Sequence, residues 1–141
     1  MATEPNAFKT LVARLKKQWN DSDLVAFGEL AEPDPLALLK QAEKWRANHS
    51  KDAVLLIVCA TLCMRAELYG KARAYLQASL EVRPHLETYR LLAHLLEHID
   101  ERERAYKVLK EALAYAIGRD MPLPKIAVAR RERRKPVDRR R

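Results

Sequence analysis

The feature that most limits what this chain can fold into is an internal repeat. Shifting the sequence by 33 residues superposes small or apolar positions: Leu56 on Tyr89, Ala60 on Ala93, Ala72 on Ala105, Leu76 on Leu109, Ser79 on Ala112 and Leu80 on Leu113. Self-similarity at a fixed period of this length, with two helical segments per period, is the signature of stacked helix hairpins, each burying the face its neighbour exposes. The residue types fit that mechanics. Small side chains at Ala60 and Ala72 let the two helices of a pair approach closely, Leu76 and Leu80 fill the space between them, and Pro84 stops the second helix.

Periodicity supplies the segments. Ala7 to Trp19 reads as a helix with Phe8, Leu11, Val12, Leu15 and Trp19 on one face. Asp23 to Glu32 is ambiguous between extended chain and a short helical turn. Leu24, Val25, Phe27 and Leu30 want burial there, whereas Gly28 lowers helix propensity. Asp34 caps and Pro35 opens a helix running from Leu36 to Asn48. Asp52 caps the next, to about Ala66, whose residues Val54 to Ala60 are apolar all round; such a helix is packed on more than one side and belongs at the centre. Further helices follow up to about Val82, from Leu86 to His98, and from Glu101 to about Ile117, with Gly118 as the expected stop.

Two of these periods resemble the tetratricopeptide repeat (TPR). The unit from Ala53 to His85 carries Leu56, Cys59, Ala60, Tyr69, Ala72, Leu76, Ser79 and Pro84 at that family's large, small and closing positions. It departs from the pattern with Leu56 in place of tryptophan and Cys59 in place of leucine. The second unit, Leu86 to Gly118, has Arg102 where the tyrosine belongs and Ile117 where the proline belongs. The resemblance implies an all-α fold of helix hairpins in a short right-handed superhelix. The division it suggests is an N-terminal helix and connecting segment over 1–33, repeats over 34–118 and a disordered arginine-rich tail over 119–141.

A narrower similarity rests on Glu32-Pro33-Asp34-Pro35-Leu36, on Glu43-Lys44-Trp45 and on the run from Leu62 to Arg73 with Tyr75-Leu76. These stretches resemble the C-terminal part of HemY, a bacterial inner-membrane protein associated with haem biosynthesis, over about two thirds of the chain. The resemblance implies a non-enzymatic scaffold facing the cytoplasm, with late haem-pathway enzymes as partners. HemY-like proteins begin with two membrane helices that have no counterpart in this sequence. The longest apolar run here, Ala53 to Ala60, is far short of the ~20 residues a span requires. Localisation is therefore expected at the cytoplasmic face of the inner membrane for a longer HemY-like protein, and in the soluble cytoplasm for this chain.

Catalytic readings find little support in the residues. A flavin-dependent oxidase that has shared the HemY name would need a G-x-G-x-x-G segment after a strand, and only Gly28, Gly70 and Gly118 occur. Cys59 and Cys63 lie four apart in an apolar segment, unsuited to bridging each other. His94 and His98 share a helix face at metal-ligand spacing, but the two pairs are expected to point differently, and neither metal nor other cofactor is expected. No nucleophile, base and orienting group suggest themselves together, so no enzymatic activity is expected.

A binding surface is the sharper expectation. On a tetratricopeptide stack the concave face is lined by the first helix of each hairpin, which here nominates Ile57, Thr61, Met64, Arg65, Arg90, His94, Glu97 and His98 as a groove for a protein partner. Met64 would offer adaptable apolar contact and the arginines would read acidic groups.

The net charge of +8 is concentrated at one end. From Lys125 to Arg141 nine basic residues stand against Glu132 and Asp138, a net +7, while the other 124 residues balance to +1. Arg130, Arg131, Arg133, Arg134, Lys135, Arg139, Arg140 and Arg141 are the candidates for contact with an anionic membrane surface. Nucleic acid is the alternative partner, through phosphate neutralisation. It ranks second because the tail has no aromatic residue to stack on bases.

Overall fold

The computed structural model describes residues 6–120, and the side chains of 119 and 120 are left aside; of the proposed tail over 119–141 the first two residues are helical, and the rest, with its eight basic contact residues, lies outside this range. The described chain is all-helical: α1 Ala7–Lys17, α2 Asp21–Gly28, α3 Pro35–Trp45, α4 Ala53–Arg65, α5 Tyr69–Val82, α6 Leu86–His98 and α7 Arg102–Asp120. Packing follows chain order. α4 pairs with α5, and α6 with α7, while α4 also touches α2, α3 and α6.

Three of the starts have a capping side chain that explains them. The Asn20 side chain accepts from the Asp23 N–H at 2.8 Å and opens α2. The Asp34 carboxylate does the same for Ala37 ahead of Pro35. One oxygen of Asp52 accepts from the N–H groups of Val54 and Leu55, and the other accepts from the Trp19 indole N–H at 2.7 Å. That carboxylate therefore caps α4 and anchors the end of α1 with a charge-assisted bond. Trp19 also stacks flat on His49, with centroids 3.7 Å apart, and meets Trp45 edge-on.

The core follows the sequence pattern. Ala53 to Ala60, Leu62 and Cys63 are all buried, which makes α4 the central helix. Leu15, Leu24, Phe27, Leu38, Leu76 and Leu95 close around it.

The period of 33 reappears in the backbone. After α4, the Leu68 N–H donates to the Cys63 carbonyl at 2.7 Å and the Glu67 N–H to Met64 at 3.0 Å. After α6, Glu101 donates to Leu96 at 2.8 Å and Asp100 to Glu97 at 3.1 Å. These are the paired bonds of a Schellman turn, with the left-handed residue supplied by Glu67 (φ 61°) and Asp100 (φ 64°). All four pairs of positions are one repeat apart.

One ambiguity is resolved, and two expectations need correction. The ambiguous segment at Asp23 is helical from Asp21, because Asn20 supplies a cap and Phe27 and Leu24 are fully buried against the core. Gly28 tolerates the helix because its missing side chain leaves room: a Cβ there would stand 3.2 Å from Val58 on α4. Gly118 does not stop the last helix, which continues to Asp120. Leu109 and Leu113, expected to fill a hairpin as Leu76 and Leu80 do, are 49% and 62% exposed.

Candidate functional site

α2, α4 and α6 share a cleft of about 260 Å³. Its walls are Val25, Gly28 and Glu29 from the α2 end, Ile57, Val58 and Thr61 from α4, and Glu87, Arg90 and Leu91 from α6. The lining is apolar in the middle and charged at the rim. Val25 is 48% exposed, an apolar side chain left uncovered on a short helix whose Leu24 and Phe27 are fully buried.

The eight residues nominated from the sequence divide into two groups. Ile57, Thr61 and Arg90 line this cleft. Thr61 turns its hydroxyl back onto the Ile57 carbonyl at 3.0 Å, so its methyl group is what the helix offers outward. Arg90 is held by a two-point bond to Glu87, with contacts of 2.8 and 2.7 Å. Hydrogen bonding from Arg90 holds the Glu87 carboxyl below its usual range, and the same pairing pushes the guanidinium up. The pair is a fixed polar edge with little net charge.

Met64, Arg65, His94, Glu97 and His98 lie outside the cleft lining. Met64 is half-buried against the core. Arg65 donates to the carbonyls of Gly28 and Leu30, at 2.9 and 2.7 Å, so its fork closes the C-terminal end of α2 and is engaged within the fold. His94 and Glu97 are exposed, and the exposed His98 ring lies 4.6 Å from that of Tyr69 at the start of α5. The sequence reading missed the α2 wall altogether. The signal available is Gly28, three residues after Val25: besides lowering helix propensity, a glycine there marks a place where two helices touch.

A second polar constellation sits away from the cleft, between α3 and α5. The Tyr75 hydroxyl donates a short hydrogen bond to Glu43, whose carboxylate also meets Lys71 at 2.7 Å. The Arg46 guanidinium lies over the Tyr75 ring, 5.1 Å from its centroid. Partial burial pushes the Glu43 carboxyl up, but hydrogen bonds from Lys71 and Tyr75, with the charges of Lys71 and Arg46, outweigh it and hold the group below its usual range. Burial and the bond to Glu43 push the Tyr75 phenol well up.

The other nucleophile and ligand candidates are accounted for by packing. Cys59 and Cys63 are free and buried, and desolvation pushes their thiols up to about 12 and about 11. Thiols so placed are poor nucleophiles and poor ligands at neutral pH. Ser79 is fully buried and donates to the Ala53 carbonyl at 3.1 Å. His85 is the N-cap of α6, where its Nδ1 accepts from the Glu87 N–H. Among the described residues no group of three His, Cys, Asp or Glu side chains is placed to hold a metal ion. No helix among them is long and apolar enough to cross a membrane.

The chain matches no known protein-family model, no curated protein and no solved structure.

Proposed function

We propose that this chain is a non-enzymatic interaction scaffold of tetratricopeptide-like hairpins that holds a protein segment in the cleft of α2, α4 and α6. The observation that carries the reading is the cleft itself: three helices from three consecutive parts of the chain leave Val25, Ile57 and Leu91 around one recess, rimmed by Glu29 and the Glu87–Arg90 pair. A recess with an apolar floor and a fixed polar edge suits an apolar side chain of a peptide whose backbone or polar groups meet the rim. The identical turns after α4 and α6, one repeat apart, support a stack of like hairpins. A catalytic role is disfavoured because the cysteines and Ser79 are buried. The sequence similarity to the C-terminal part of HemY nominates late haem-pathway enzymes at the inner membrane as the source of the segment.

The test is selection of binding peptides from a displayed random library, followed by calorimetry on the full chain and on Val25→Lys and Thr61→Trp variants. Val25 is half exposed and Thr61 lies at the cleft wall, so both changes spare the core. Affinity should fall at least tenfold in each. Peptides that bind the variants as well as the parent would refute the cleft as the docking place. Binding to generic RNA with no selectable peptide would favour the tail-mediated nucleic-acid alternative.

A further inference from the structure

On the cleft side of the molecule the arginines are engaged and two carboxylates are free. Arg65 and Arg90, the expected readers of acidic groups, both have partners inside the fold: Arg65 donates to the Gly28 and Leu30 carbonyls, and Arg90 pairs at two points with Glu87. Glu29 and Glu97 are exposed, and neither carboxylate has a partner among the described residues. Glu29 lines the cleft from the end of α2. Glu97 lies seven residues after Arg90, which returns it to the same face of α6 about 10 Å further along. The C-terminal ends of α2, α4 and α6 come together there, since Arg65 reaches the end of α2 and the His98 ring meets that of Tyr69 at the start of α5. Helix dipoles add partial negative charge at that end. Arg65 offsets part of it, but from Gln18 to Leu39 the sequence has five acidic residues and no lysine or arginine. Of those five only Asp23 is in an ion pair among the described residues, with Arg14 at 3.3 Å. The opposite end of the groove is balanced, with Asp21 and Asp52 against Lys51 and Arg83 around a second recess.

On the reading that the cleft holds a peptide, we propose that the segment is cationic. It seats one apolar side chain among Val25, Ile57 and Leu91 and carries a lysine or arginine about three residues away, facing the Glu29 and Glu97 carboxylates. The spacing comes from the helix: Arg90 to Glu97 is about 10 Å along the axis, which an extended chain covers in about three residues. The sign comes from what is unpaired. Free carboxylates attract a cation, and the Glu87–Arg90 pair has little net charge left to repel one. Because the two ends of the groove differ in charge, the segment has one favoured direction, with its basic residue towards the helix C-termini. Exposed charge pairs are individually weak, so the apolar anchor supplies most of the affinity and the carboxylates supply the selectivity.

Selecting a displayed random-peptide library on the full chain, and separately on a Glu29→Lys, Glu97→Lys double variant, tests the charge. Both residues are exposed, so the fold should survive, and an unchanged helical circular-dichroism spectrum checks that it does. Peptides from the parent should carry lysine or arginine about three residues from a large apolar residue, and those from the variant aspartate or glutamate at that place. In calorimetry a parent-selected peptide should bind the double variant about tenfold more weakly. Replacing its basic residue by glutamate should restore most of that loss, and added salt should weaken both matched pairs. Peptides without a basic preference, or affinities indifferent to the double variant, would overturn the charge assignment and leave the cleft a peptide site. Failure of both selections would remove the peptide reading itself, and this proposal with it. A parent affinity that rises when Arg130, Arg131, Arg133 and Arg134 are replaced by serine would put the chain's own basic segment against these carboxylates and overturn the choice of a separate partner.

Discussion

α5 and α7 carry positions that superpose under the 33-residue shift of the sequence, yet they live in different environments. Leu76 on α5 is fully buried, and its equivalent Leu109 on α7 is 49% exposed; Leu80 is half-buried, and Leu113 is 62% exposed. The side chains are the same. What differs is that α6 packs beside α5, whereas nothing among the described residues follows α7. A repeat sequence therefore specifies a helix and its faces, but burial is conferred by the neighbour.

The largest expected effect tests that contrast directly. Leu76→Ala should destabilise the fold by about 2–5 kcal/mol, the range for emptying a packed leucine site. Leu109→Ala should cost within about 0.5 kcal/mol, as surface changes do. Urea unfolding of both variants measures the difference. Equal losses would mean that α7 is covered in solution even when the chain is alone, and the comparison between the two helices would fail.

The shared turn provides a sharper comparison with a smaller effect. Glu67 and Asp100 hold the left-handed position where glycine is usual. Replacing each by glycine relieves the steric cost of a Cβ at positive φ, against the added flexibility of the unfolded chain. Each change should stabilise by about 0.5–1 kcal/mol, with the larger gain at Glu67, since aspartate tolerates this conformation better. Thermal unfolding should show both midpoints rising. A rise at one position alone would mean that the two turns, alike in hydrogen bonding, are not alike in strain.

This turn also marks where sequence reading stops. The helices from Asp52 onward were legible because apolar spacing, capping residues and Pro84 agreed with the repeat, and α4 was legible as the centre because no polar face interrupts it. The Schellman turns were not, since their usual glycine is absent and nothing in a glutamate or an aspartate announces positive φ. α2 was ambiguous for the opposite reason: Gly28 was visible, but its use, letting α2 approach Val58, is a tertiary fact that propensity cannot express. The same blind spot hid the α2 wall of the candidate cleft. Ile57, Thr61 and Arg90 follow from the concave face that the tetratricopeptide resemblance implies, whereas Val25 and Glu29 needed α2 to be placed beside α4. Arg65 was read as a binding residue because an outward arginine on a first helix looks available. Two backbone carbonyls thirty-odd residues upstream engage it, and only the packed chain brings them there.

The smallest effect concerns how α3 is tied to α5. Glu43 accepts from Tyr75 and pairs with Lys71, and these contacts hold its carboxyl below the ordinary value of 4.5. A group whose folded pKa is depressed stabilises the fold at pH above its unfolded value and loses that contribution as pH falls through the folded one. Glu43→Gln should therefore be less stable than the parent at pH 7, and the gap should narrow as pH falls below about 4.5, the unfolded value, and close once pH passes the lowered folded value, where the parent carboxylate itself becomes protonated. Because Lys71 is half exposed, solvent screens the pair, and added salt should shrink the gap at pH 7 as well. The corresponding link at the next hairpin, Arg73 to Glu101 at 2.8 Å, joins α5 to the turn before α7. No change in the unfolding difference between parent and Glu43→Gln from pH 7 to pH 3 would show that the carboxylate is not what ties these two helices together.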